Sequence, residues 1–278
     1  MKKIGLRRGI YILPNLFTTG NLFFGFFSII RSINEDFVAA AWAILFAGVC
    51  DFLDGRVARL TKTQSEFGLE YDSLVDLSSF GLATSILMYK FGLFYFSRIG
   101  WAACFLYFAC SALRLARFNV QAGNVEKKHF QGLPVPGAAS LLVTYVILYS
   151  HVLGGGPTES YLVLAMVFFV APLMVSNVAY RSFKSLDRSP RTHFLVLVFV
   201  VVGVFVLASA PQIVLFVISL VYVLTGVLET IFRSHSKIKS FADVMKHFFQ
   251  AGPKELVMPD EIPPYEEEEE EKQKEMLQ

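Results

Sequence analysis

Cysteine, histidine and tryptophan are scarce in this 278-residue chain, at three, five and two residues, and each shortage narrows what the chain can do. Cys50, Cys104 and Cys110 lie inside apolar segments without metal-ligand spacing. Neither a disulfide framework nor a zinc site is therefore expected, and the three are read as packing residues. His129, His151, His193, His235 and His247 show no convergent spacing and receive no ligand role; His129, beside Lys127 and Lys128, belongs to a basic loop. Net charge is close to balance at +2, and no nucleic-acid partner is expected. A small-residue cleavage site after the basic N-terminus is also missing, so the first apolar run is expected to be a retained span rather than a signal peptide.

What the chain has in quantity is apolar surface. With 54% hydrophobic residues, 28 phenylalanines and a mean hydropathy of +0.52, it is expected to be an all-α integral membrane protein. A bilayer core takes about 20 apolar residues per helix. Cutting the chain at its charged, Gly and Pro clusters gives about eight transmembrane helices, near residues 13–33, 37–58, 70–91, 95–117, 133–153, 160–180, 193–209 and 211–232. Basic residues flank every second connection: Lys2, Lys3, Arg7 and Arg8; Arg56, Arg59 and Lys62; Arg117, Lys127 and Lys128; Arg181, Lys184, Arg188 and Arg191; Arg233, Lys237 and Lys239. By the positive-inside bias both termini are cytoplasmic. Residues 1–12 are read as an interfacial segment, 13–232 as the membrane domain, 233–252 as an amphipathic segment lying on membrane lipids, and 253–278 as an acidic disordered tail.

Against this background the carboxylates at the second and third spans stand out. Asp51, Asp54, Asp72 and Asp76 fall where two apolar segments meet, and each ionised group at membrane depth costs roughly 3 kcal/mol on insertion scales. On a helix, Asp51 and Asp54 lie about 60° apart, and Asp72 and Asp76, four residues apart, share a stripe with Gly68. Four carboxylates from two helices make a hard oxygen site suited to Mg2+ or Mn2+, and two such ions could bridge a pyrophosphate. A carboxylate not fully engaged by metal could take a proton from an attacking hydroxyl, and Arg59 could stabilise phosphate charge. The competing reading makes these acids loop residues paired with Arg56, Arg59 and Lys62. Ion transport is a further alternative, disfavoured because the Asp motif has no second copy.

Asp51-x-x-Asp54-Gly55-x-x-Ala58-Arg59, eight residues, then Gly68-x-x-x-Asp72-x-x-x-Asp76 resembles the signature of the CDP-alcohol phosphatidyltransferases at all eight of its fixed positions. FGLEYDSLVDLSSFG, LRLARFN and FQGLPVPGAA resemble the serine-accepting branch of that family. The resemblance implies transfer of the phosphatidyl group from CDP-diacylglycerol to the hydroxyl of L-serine, giving phosphatidylserine and CMP without a phosphoenzyme. It implies Asp51, Asp54, Asp72 and Asp76 as metal ligands and Asp76 as general base. Gly55, Ala58 and Gly68 would line the CDP pocket with Arg59 near the phosphates, and the protein would be a homodimer.

Outside the signature, Asn15, Thr18 and Asn21 form one polar stripe on the first span; it suits the nucleotide pocket or helix–helix hydrogen bonding equally. Serine brings a carboxylate, which calls for a cation near the metals. Arg114 and Arg117, with Asn119 beyond, meet that need, or the two arginines snorkel and fix topology. Gln131, Gly132 and Pro134-x-Pro136 form a stiff entry to the fifth span, as a lid or a loop end. Glu70 lies about 160° from Asp72 on a regular helix and has no role on this reading. Another acceptor, glycerol 3-phosphate or inositol, or an archaeal-type lipid donor, would use the same chemistry.

Overall fold

The computed structural model describes residues 12–61, 65–122, 130–154, 156–176, 179–180 and 209–228. Helix α1 (Ile12–Ile33) and α2 (Phe37–Thr61) form an antiparallel hairpin closed by Asp36, whose carboxylate accepts from the Ala39 amide and pairs with Arg31 at 3.2 Å. The third helical run has three parts. α3 (Glu66–Asp76) passes into a π-helical segment, Leu77–Leu82, and then into α4 (Ala83–Phe91). After the 3₁₀ turn Leu93–Phe96 come α5 (Ser97–Ala122), α6 (Val135–Leu153), α7 (Tyr161–Val175) and α8 (Pro211–Leu228). A two-residue antiparallel pair, β1 (Phe130–Gln131) with β2 (Ala179–Tyr180), ties the start of α6 to the end of α7.

Among the described residues, five helices are long and apolar enough to cross a membrane: Pro14–Ile33, Phe37–Thr61, Leu93–Val120, Val135–Leu153 and Pro211–Leu228. They coincide with five of the eight expected spans. The third expected span is the broken run Glu66–Phe91, and the sixth is the shorter Tyr161–Val175. Apart from Ser209, the segment 193–209 lies outside the described residues, as do the expected amphipathic segment and the acidic tail. On α1, Leu16, Phe23, Phe26 and Ile30 are all exposed, as expected of side chains that meet lipid rather than water.

Local chemistry sets the element boundaries that matter for the site. Ser65 caps α3, its hydroxyl accepting from the Gly68 amide at 3.0 Å, which satisfies one of the amides a helix start leaves open. Pro134 is the N-cap of α6 and Pro136 sits in its first turn, where a missing amide costs nothing. At the far end of α7, Arg117 donates to the carbonyl of Val175 at 2.9 Å, occupying a carbonyl that the helix cannot pair internally. The core runs between α2, α4, α5, α6 and α7. Small residues on α2, Ala40, Ala41 and Ala47, share one core cluster with the larger Phe80, Leu87, Met88 and Leu142 and let the helices approach closely.

Candidate metal centre and its surroundings

The signature carboxylates come together. Asp51 on α2 and Asp72 and Asp76 on α3 each offer an oxygen, and the three oxygens lie within 4.8 Å of one another. Asp54 stands next to this triad rather than in it, 5% exposed and beside Thr18. Among the described residues the ion pairs are Arg31–Asp36 and Lys90–Glu35, and none involves a signature aspartate. The alternative in which these acids pair with Arg56 or Arg59 therefore has no support in the structure; Lys62 lies outside the described residues.

Two carboxylates about 4.8 Å apart repel by about 3.5 kcal/mol at an effective dielectric of about 20, so a triad of them calls for a counter-charge. The donor set fits a divalent cation in a second respect. Oδ2 of Asp54 and Oδ1 of Asp72 are buried with no hydrogen-bond partner, an arrangement that is costly unless something else fills their lone pairs. An oxygen-only set of this kind suits Mg2+ or Mn2+ better than a soft metal.

Helix α1 holds the triad in place. The Asn21 amide Nδ2 donates to Asp76 Oδ1 at 3.1 Å, and the Asn21 carbonyl accepts from Ser79 Oγ at 3.1 Å. Asn21 is fully buried and Asp76 is 8% exposed, so this pair sits in a low-dielectric seam where hydrogen bonds are strong. Gly25 lets the helices come this close: a Cβ there would fall 2.8 Å from the Ser79 Cα. The Ser79 contact lies in the π segment, whose wider turn changes the register directly after Asp76.

Around the triad, the remaining expected site residues occupy distinct positions. At Gly55 on α2, a Cβ would lie 3.6 Å from the Arg59 guanidinium. Arg59 folds back there, its Nε donating to the Gly55 carbonyl at 2.8 Å. Ala58 is half-buried on the same helix. Gly68 faces α1, with Asn15 Oδ1 3.9 Å from the position of a Cβ. Thr18 is buried and donates to Pro14 O at 3.2 Å. Asn15, Thr18 and Asn21 thus line the α1 side of the site from Gly68 to Asp76.

Arg114 on α5 is half-buried, and Asp76 and Tyr222 act on it electrostatically. Arg117, one turn on, is committed to the Val175 carbonyl. Asn119 bridges α5 to α3: its Nδ2 donates to Glu70 Oε2 at 3.1 Å and its Oδ1 accepts from Ser73 Oγ at 3.0 Å. Glu70, left without a role by its azimuth, thus has a partner on another helix. Tyr71 joins α3 to α1 through Thr19, with the two hydroxyls 3.1 Å apart. Spacing along α3 alone carried no signal for either contact.

The family model for CDP-alcohol phosphatidyltransferase matches residues 11–178, a span that contains all four signature aspartates and every other expected site residue. The chain belongs to the CDP-alcohol phosphatidyltransferase family. Among its relatives, the CDP-diacylglycerol–serine O-phosphatidyltransferase of Helicobacter pylori (strain 26695) is 42% identical over 192 residues, covering 68% of this chain and 80% of that protein. The protein of the same name from Bacillus subtilis is 32% identical over 173 residues, 62% of this chain and 91% of that protein. That from Mycobacterium leprae is 29% identical over 220 residues, 77% and 72% of the two chains. Helix α8 lies beyond the segment that the CDP-alcohol phosphatidyltransferase model matches.

Proposed function

We propose that the chain transfers the phosphatidyl group of CDP-diacylglycerol to the hydroxyl of L-serine, releasing CMP. The observation that carries the reading is the convergence of Asp51, Asp72 and Asp76, with Asp54 alongside, in a chain similar to serine-accepting relatives. Asp51, Asp54, Asp72 and Asp76 would hold one or two divalent cations, Mg2+ or Mn2+. When bound, these ions neutralise the diphosphate and polarise its phosphorus.

The chain's own groups then do the rest. Gly55, Ala58 and Gly68 leave room for the nucleotide, Asn15 and Thr18 face it from α1, and Arg59 offers its guanidinium to the phosphates. Arg114 takes the serine carboxylate; Arg117 and Asn119 hold the surrounding wall through the Val175 carbonyl and through Glu70 and Ser73. Asp76 accepts the proton of the serine hydroxyl as the serine oxygen bonds to the phosphorus that carries diacylglycerol. The bond from that phosphorus to the CMP oxygen breaks in the same displacement, and CMP leaves with the electron pair. The Asn21 bond fixes Asp76 Oδ1 and so orients the carboxylate for that transfer.

The same proposal includes eight spans with both termini and the active site on the cytoplasmic side of the cell membrane, an interfacial segment at 233–252, an acidic tail, and a homodimer. The decisive experiment supplies purified protein with CDP-diacylglycerol, Mn2+ or Mg2+, and a panel of acceptors, and follows CMP. Serine-dependent release that Asp76→Asn abolishes is expected. Release driven by glycerol 3-phosphate or inositol instead of serine would overturn the acceptor assignment, and full activity of Asp76→Asn would remove it as the base.

A further inference from the structure

Asp76 is the last residue of α3, and the chain passes from it straight into the π segment Leu77–Leu82. The Ala83 amide closes that segment by donating to the Ser78 carbonyl, five residues back. Where this wider step returns to the ordinary helical one, neighbouring carbonyls compete for one amide, so a π turn needs outside groups to hold it. Both flanks of this one are held. On the α1 side Ser79, fully buried, donates its hydroxyl to the Asn21 carbonyl at 3.1 Å, and the side-chain amide of the same Asn21 donates to Asp76 Oδ1 at 3.1 Å. On the α5 side the Tyr107 hydroxyl, on a side chain just as deeply buried, donates to the Phe80 carbonyl at 3.1 Å. Next to it, Ser85 Oγ lies 2.8 Å from the Gly81 carbonyl and 3.3 Å from the Cys104 carbonyl of α5. A one-residue change of register turns a helix by about 100°. Loss of the π turn would therefore move either Ser79 or Asp76 off Asn21, which now holds both.

We propose that Tyr107 and Ser79 are positioning residues that clasp the π turn from opposite sides and so keep the Asp76 carboxylate on the Asn21 amide. This rests on the reading of Asp76 as metal ligand and base in phosphatidyl transfer. A tie that served stability alone would add its effect to that of any other lesion. A clasp acting through Asn21 has nothing left to act on once that side chain is gone.

The test compares full-length wild type, Tyr107→Phe, Ser79→Ala, Asn21→Ala and the two doubles that join each clasp variant to Asn21→Ala. Tyr107→Phe keeps the ring and removes the hydroxyl. Mn2+ binding, followed by electron paramagnetic resonance, is expected to weaken about three- to tenfold in each clasp variant, the size of one lost neutral hydrogen bond. At saturating Mn2+, kcat for CMP release should fall by a similar factor, with KM for serine and for CDP-diacylglycerol within about twofold of wild type. Adding either change to Asn21→Ala should cost less than about twofold more. Multiplicative losses in both doubles, or wild-type Mn2+ affinity and kcat in Tyr107→Phe, would overturn the proposal. Ser79→Ala reads the same clasp from the α1 side, so poor folding of Tyr107→Phe does not remove the test. Wild-type CMP release that does not depend on serine would instead overturn the acceptor reading, and the Mn2+ affinities alone then judge the clasp.

Discussion

Replacing Asp51 with asparagine should stabilise the cation-free protein while destroying its activity. The two effects have one cause. The Asp51 oxygen lies within 4.8 Å of oxygens on both Asp72 and Asp76, and each such pair at an effective dielectric of about 20 is repulsive by about 3.5 kcal/mol. Solvent and counter-ions reach a cluster that is only half-buried at Asp51 and Asp72, so a gain of about 1–2 kcal/mol is the working figure. Asparagine is close to isosteric, so no cavity offsets that gain. Thermal unfolding in detergent with EDTA reads it directly: the variant should melt above wild type. Adding Mn2+ should reverse the order, because a ligand at about 100 times its Kd adds about 2.7 kcal/mol to the form that binds it, and the variant has lost a ligand. If Asp51→Asn melts below wild type in EDTA, the carboxylate is engaged by a cationic side chain and the electrostatic argument for the site fails.

Asn21→Ala removes the only amide bonded to Asp76 Oδ1 among the described residues and leaves a buried carboxylate oxygen unpaired; kcat for CMP release should fall about tenfold or more. Unaltered kcat would show that Asp76 needs no orienting partner. Gly25→Ala places a methyl 2.8 Å from the Ser79 Cα, so α1 must move off the π segment at a cost of about 1–3 kcal/mol; a melting temperature equal to wild type would contradict the close approach. Ser65→Ala deletes the cap of α3 and should lower stability by about 1 kcal/mol, read as a melting shift with little change in KM for serine.

The parts of this site that follow helical periodicity were legible from the residues alone. Asp51 with Asp54, and Gly68 with Asp72 and Asp76, each sit on one face of a helix, and of the four carboxylates Asp51, Asp72 and Asp76 meet while Asp54 stands beside them. Five of the expected spans were equally legible, because an apolar run of about 20 residues is a signal carried by composition. Contacts between helices were not. Glu70 finds Asn119 from another helix 49 positions away, and local azimuth has no information about such a partner. The π segment at Leu77–Leu82 has no periodic signature that separates it from an α-helix. Arg117 illustrates a third case: its position near the end of a span suited an acceptor cation and a topology anchor alike, and the Val175 carbonyl that it satisfies belongs to a different helix.

The most direct test of the account is Mn2+ binding to the purified chain, followed by electron paramagnetic resonance, for wild type and Asp72→Asn. Saturable binding to wild type that Asp72→Asn weakens at least about tenfold, as losing one carboxylate from a small oxygen set should, is the predicted result. Equal binding by the two proteins, or none by wild type, would contradict it.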